Sequence, residues 1–271
     1  MEHVLSSNVT TTTFVDIKKR SLVPEKWEDQ VRAIGISECK EAAASLAQAF
    51  ATDDLAQYLL DAEHVAGEND EAKWRLHVDL FNYIVASHIY KGTVTTIGPD
   101  YDGVALWMPP GKDADDWLTL FRSGMWRLFY QMSAEGRRRY YDELIPLLHR
   151  TKHEVMGDRD DNCYYLVYLG TKPSGQGRGY ARKLIEHMAA KADAEGRAMY
   201  LESSSEKNNS YYKKFGFEIK HDIYLGNSAD NDSTTPPVTL TIMVREPRKL
   251  PALAKSIPIK LNTGFSHHRV L

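Results

Sequence analysis

The run Gln176-Gly177-Arg178-Gly179-Tyr180-Ala181 constrains this 271-residue chain more than any other stretch. An apolar segment, residues 163–169, precedes it, and a segment of helical period, residues 181–195, follows. A strand that turns through glycines into a helix offers consecutive free backbone N–H groups at the positive end of the helix dipole. Such a turn holds phosphate oxygens without needing a charged side chain. Spacing decides among the glycine-rich readings. Gly170 and Gly175 have the separation of a Walker loop, but Gln176 and Gly177 stand where Lys and Ser/Thr would contact the phosphates and magnesium. A dinucleotide fingerprint fails as well: counted from Gly175 its sixth residue is Tyr180, and counted from Gly177 it is Arg182.

What remains is the pattern Q-x-x-G-x-A, carried by Gln176, Gly179 and Ala181, and a second segment accompanies it. From Glu202 the chain reads E-S-S-S-E-K-N-N-S-Y-Y-K-K-F-G-F, placing Asn208, Tyr212 and Gly216-Phe217 in order after the glycine loop. Together these resemble the two hallmarks of the GNAT superfamily of acyl-CoA-dependent N-acetyltransferases. Upstream, V-A-L-W-M-P-P-G from Val104 resembles a segment of the puromycin N-acetyltransferase-like branch. The order of elements follows the superfamily from about Ile34 to Arg245, and the motifs lie between Cys163 and Phe217.

The resemblance implies an α/β chain of GNAT fold, with a mixed, mostly antiparallel central sheet flanked by helices. It also implies acetyl-CoA as co-substrate and a set of site residues. The backbone of Leu169, Gly170 and Thr171 would pair with the pantetheine arm. The N–H groups of Gly177, Arg178, Gly179, Tyr180 and Ala181 would hold the pyrophosphate, with side-chain help from Gln176 and Arg178. Glycine suits 177 and 179 because a Cβ would hinder close approach or an unusual φ. Asn208 would meet the pantetheine amides, against an alternative role as a helix N-cap. Tyr212 would protonate the departing thiolate, whose thiol has a pKa of roughly 8.5.

The general base is less constrained. Residues 163–169 contain no carboxylate, so Glu202, on the next strand, is the candidate; a structural hydrogen bond to the Asn208 loop is its alternative. Asp102 and His149 could act only if the fold brings them in. Cys163, inside an apolar strand, reads as inert core.

Length and composition fit a chain with a sizeable core: 42% hydrophobic and 26% charged residues. A net charge of −3 offers no whole-chain attraction to nucleic acid or anionic membrane. Two cysteines without paired spacing argue against a disulfide framework or a zinc site. No basic-then-apolar leader and no run of about 20 apolar residues is present, so a cytoplasmic enzyme is expected, with nuclear entry left open.

Along the chain, residues 1–28 read as a polar tail, 29–245 as one acetyltransferase domain, and 246–271 as a basic tail. Strands are expected near 31–36, 92–97, 103–108, 163–169, 198–203, 217–225 and 238–245. Residues 112–155 form an insertion, with helices over about 115–131 and 134–152, flanking the acceptor side. Most of its aromatics (Trp117, Phe121, Trp126, Phe129, Tyr130 and Tyr140) are expected in the core, the rest walling an acceptor pocket. Five Asp between Asp100 and Asp116 could draw a cationic amine, or simply cap helices and face solvent. The expected acceptor is a small-molecule amine; a peptide or protein amine, a longer acyl chain, and a non-catalytic acyl-CoA sensor are the rivals. No metal, nucleic-acid or membrane partner is expected, and a homodimer is left open.

Overall fold

The computed structural model describes residues 22–60, 70–114, 116–226 and 237–248. The N-terminal stretch to 21, Asp115, most of the polar loop (227–236) and the basic stretch from 249 lie outside them. The first elements are a 3-10 turn, Glu25–Glu28, and a short strand β1, Arg32–Ala33. The turn belongs to the fold, contrary to the polar-tail reading of 1–28: Gly98 N–H donates to Trp27 O, and the Tyr180 hydroxyl donates to Glu28.

Helices α1 (Cys39–Ala49), α2 (Asp54–Leu60) and α3 (Asp70–Lys91) follow, then β2 (Thr93–Ile97) and β3 (Gly103–Met108) as an antiparallel hairpin. The insertion breaks into α4 (Trp117–Ser123), a 3-10 turn, α5 (Leu128–Gln131), α6 (Ala134–Arg137), a π-helical turn (Arg138–Leu144) and α7 (Ile145–Met156). Next come β4 (Tyr164–Thr171), α8 (Tyr180–Glu195), β5 (Met199–Ser203), α9 (Glu206–Lys213), β6 (Phe217–Leu225) and β7 (Val238–Arg245). The strands form one sheet of order β1-β2-β3-β4-β5-β7-β6, antiparallel except for the β4–β5 pair. Among the described residues no helix is long and apolar enough to cross a membrane.

Alternation along β3 builds a core on each side of the sheet. Val104 and Leu106 pack with Leu46 and Phe81 of α1 and α3, while Ala105 and Trp107 pack with Leu184 and Ile185 of α8. Gly170 of β4 is where α1 comes closest. A Cβ there would lie 2.8 Å from both Ala49 Cβ and Leu46 Cδ2.

Of the two long insertion helices expected from the sequence, the second forms as one unbroken helical run over 134–156 with a π-helical turn in its middle, whereas the first is broken. Gly124, at φ +86°, stops α4, and α5 is four residues long. No continuous apolar stripe forms, and Trp117, Phe121, Trp126, Phe129 and Tyr130 are exposed, against the expectation of core. Leu128 is the fully buried residue of α5, and of those six aromatics Tyr140 is the buried one.

Two irregularities open the sheet. Leu106 pairs with Tyr168 and Trp107 with Leu166, so Val167 is an extra residue in β4, a bulge that bends the strand. Beyond Leu166, β4 and β5 no longer pair, because β5 continues against β7 alone. The β5-facing edge of β4 from Val167 to Thr171 is therefore free of its neighbour.

Candidate active site

A largely apolar cavity of about 720 Å³ lies along β4 at this opening. Leu169, Glu202, Asn208 and Tyr212 all line it, as do Tyr168 of β4 and Phe81 of α3. Its roof is the insertion: Leu120, Met125, Tyr140 and His149 reach it from α4 to α7.

The glycine loop, whose residues do not line this cavity, joins β4 to α8. Gly177 (φ +80°) and Gly179 (φ +77°) adopt a conformation that L side chains rarely take, and a Cβ at either would meet no atom within 4 Å. Glycine is thus required there by φ, while the space outside stays open for a ligand. The first amide bonded back to Gly179 O is that of Lys183, at 3.1 Å, so the N–H groups of Tyr180, Ala181 and Arg182 have no carbonyl within the helix. Nor does a side chain cap the helix at Gly179. These donors, the dipole and the open glycines fit a pyrophosphate, and the unpaired β4 edge fits a pantetheine arm. Gln176 folds back, its amide 3.4 Å from Thr171 O. Arg178 is exposed, 3.4 Å from Glu28, a pair of little energetic weight. The Tyr180 side chain is buried, so its backbone faces the loop.

In α9, Ser205 occupies the N-cap position and Asn208 is the third helical residue, so the capping role weighed for Asn208 does not hold. Tyr212 lies one position round from the Tyr211–Phe215 ring pair and packs its edge on Phe217. It is 9% exposed, and burial raises its phenol pKa, which keeps the proton on. Its hydroxyl makes no hydrogen bond to another described residue and is available to donate.

Glu202 sits deep in the cavity wall. Desolvation raises its pKa to about 7, against the opposing pull of the Tyr165 and Tyr200 hydroxyls. Those hydroxyls stop short of satisfying it: Glu202 Oε1 and the Tyr200 hydroxyl are both buried without a hydrogen-bond partner. The expected alternative, a hydrogen bond to the Asn208 loop, is not formed at that oxygen.

His149 lines the cavity, whereas Asp102 does not. Asp102 accepts the Lys172 N–H through its carbonyl, stands 3.6 Å from the Lys172 ammonium, and packs under Gly175. It braces the glycine loop. Two more of the five Asp are engaged within the fold. Asp100 pairs with Lys172, and Asp116 caps α4 through the Thr119 N–H and pairs with Lys91 at 2.8 Å. Asp113 reaches the cavity. Cys163 is buried and its thiol pKa is raised by desolvation, an inert setting.

One wall residue escaped the sequence reading. Asp53 caps α2, accepting N–H bonds from Leu55 and Ala56 at 3.1 Å, and its other oxygen takes the Ser204 hydroxyl at 2.7 Å. The available signal was an Asp directly before an apolar helical run, which marks a cap but not a cavity.

The chain is similar to known acetyltransferases. Residues 150–219 match the family model described as an acetyltransferase (GNAT) domain. An uncharacterized N-acetyltransferase of Schizosaccharomyces pombe, C550.08, is 44% identical over 208 residues, spanning 77% of this chain and 79% of the relative. Among solved structures, mosquito arylalkylamine N-acetyltransferase like 5b aligns with 80% of this chain and 99% of its own, at 17% identity and TM-score 0.51. Arylalkylamine N-acetyltransferase 2 from Aedes aegypti aligns with 81% and 99%, at 15% identity and TM-score 0.50. Motif, fold and a near-full-length relative agree: the chain belongs to the GNAT family and is an acyl-CoA-dependent N-acetyltransferase.

Proposed function

We propose that this enzyme transfers the acetyl group of acetyl-CoA to the primary amine of a small molecule, by direct attack in a ternary complex. The observation that carries the reading is that one cavity joins the unpaired edge of β4 to Tyr212, Asn208 and Glu202. In this scheme the N–H groups from Gly177 to Ala181 take the pyrophosphate, and the backbone of Leu169, Gly170 and Thr171 pairs with pantetheine. A free N–H on the same edge faces the thioester oxygen as negative charge develops there. Glu202, directly or through water, removes a proton from the acceptor ammonium. The amine lone pair then forms the C–N bond as the C–S bond breaks, the Tyr212 hydroxyl protonates the leaving thiolate, and the N–H proton released as the neutral amide forms restores the tyrosine hydroxyl. The products are the N-acetyl amine and free CoA. A roof of insertion helices over an apolar cavity favours a small acceptor over a protein surface, as does the Val104–Gly111 segment's resemblance to the puromycin N-acetyltransferase-like branch. Two buried, unpaired cysteines suit a reducing compartment, and we place the enzyme in the cytoplasm.

Thiol release from acetyl-CoA, measured against polyamines, arylalkylamines, aminonucleosides and lysine peptides, tests the reading. Release with a small amine supports it. Release with peptides alone moves the acceptor to protein, and acetyl-CoA binding without release from any amine replaces the enzyme with a sensor.

A further inference from the structure

We infer that the preferred acceptor is a short aliphatic diamine: Glu202 receives the nitrogen that reacts, and Asp53 holds a second, cationic nitrogen. The inference rests on the acetyltransferase reading and goes beyond it by naming what the acceptor carries at its far end. Five carboxylates line the largely apolar cavity; Asp113, Asp160 and Asp161 lie at the insertion side, while Asp53 comes from the start of α2 and Glu202 from β5. Among the described residues neither has an ion-pair partner. Lys152, the cation whose field reaches Glu202, is already bound to the Asp160 carboxylate and carbonyl. Arg150, another cation on the wall, is paired loosely with Glu154. Half-buried carboxylates in an apolar wall without a counter-charge carry a desolvation cost that a cationic ligand would offset.

Each carboxylate also has unused capacity. An ionised carboxylate accepts about four hydrogen bonds. Asp53 receives three, from Leu55, Ala56 and Ser204. Glu202 Oε1 is buried and receives none. Desolvation raises the pKa of both, Glu202 to about 7.

The chain ties the two carboxylates to one segment. Ser204, in the bend just after β5, stands two residues after Glu202 and holds Asp53 at 2.7 Å. Tyr168, whose phenol pKa both carboxylates help to raise, lines the same cavity. Phe50, Leu55 and Phe81 supply apolar wall for the alkyl chain that would join the two nitrogens. During the reaction the proton leaves the nitrogen at Glu202, while the ammonium at Asp53 keeps its proton throughout.

The test compares 1,4-diaminobutane with n-butylamine, whose chain is the same length but carries one nitrogen. Calorimetry on the CoA-saturated protein reads the subsite without requiring turnover, and thiol release reads the reaction. The diamine should bind, and show a kcat/KM, about 10- to 100-fold above the monoamine, the range of a charged hydrogen bond. Asp53→Asn keeps a good cap, so the helix survives, and it should collapse that ratio by tenfold or more. Equal affinity for the two amines in the wild type, or an unchanged ratio in Asp53→Asn protein of wild-type Tm, overturns the subsite whatever the turnover. Tight diamine binding without thiol release from any amine would keep the subsite and overturn the acetyltransferase reading instead.

Discussion

At the scale of single residues, burial rather than identity assigns the chemistry. A carboxylate in water is a poor base near neutrality; Glu202, desolvated and incompletely hydrogen-bonded, is raised to about 7. A base must be deprotonated, so kcat/KM should climb with pH and break at about 7, separately from the break set by the acceptor's own amine. Glu202→Gln should lower kcat/KM by about 100-fold or more and abolish the break near 7, leaving the amine's limb. A pH profile that keeps this break in the variant would take Glu202 out of the role. Tyr212 is the opposite case, with burial holding its proton on. Tyr212→Phe should lower kcat by one to several decades with acetyl-CoA affinity unchanged, since only the hydroxyl is removed. At Gly179 the argument is steric: φ is +77° and the space beyond it is empty. Gly179→Arg should abolish acetyl-CoA binding by calorimetry while the circular dichroism spectrum stays that of the wild type.

At the scale of elements, the β4–loop–α8 unit was legible because each of its signals is local. An apolar run, turn-forming glycines, a helical period and a terminal Gly196 sit in sequence order, and the structure forms β4, the loop and α8 where they lie. The strand set was legible for the same reason, as was the β2–β3 hairpin. Glu202, Asn208 and Tyr212 could be named from their motif, but not the cavity that gathers them, because its walls come from α1 to α3 and from the insertion. The insertion misled since its aromatics recur at helical spacing, while Gly124 and a run of short helices break the period and leave five of them in solvent. Asp53 was missed because a cap and a cavity wall share one local pattern. Gly170 shows how a fold-level constraint hides in a motif residue: it was expected at the cofactor, and a Cβ there would also meet α1 side chains at 2.8 Å. Gly170→Ala should therefore cost about 1–3 kcal/mol in urea unfolding, overpacking outweighing the usual gain from stiffening the unfolded chain. A stabilised variant would mean that α1 moves aside freely.

At the scale of the whole molecule, the opening that admits the cofactor also weakens the sheet. The half from β1 to β4 meets the half from β5 to β6 through three register pairs only, Tyr164, Tyr165 and Leu166 against Met199, Tyr200 and Leu201. The C-terminal end of α8 compensates from one side. Glu195 accepts the Tyr164 hydroxyl of β4 at 2.8 Å, and Asp193 takes both terminal nitrogens of Arg245 of β7 at 2.7 Å. Arg245 is 2% exposed, so removing its partner strands a buried cation. Asp193→Ala should lower unfolding free energy by about 3–5 kcal/mol, with a Tm fall of roughly 10 °C. The pH dependence has a definite sign. Desolvation alone would raise the Asp193 pKa, but the Arg245 hydrogen bonds win and hold it below its ordinary value. A carboxylate depressed in the folded state contributes its stability above its unfolded pKa of about 3.9, and that contribution is lost as pH falls through the folded value. The gap between wild type and Asp193→Ala should accordingly be full at pH 7 and narrow below about pH 4. A gap that stays constant into acid would show that Asp193 acts through packing, and that the two halves of the sheet are joined by something other than this ion pair.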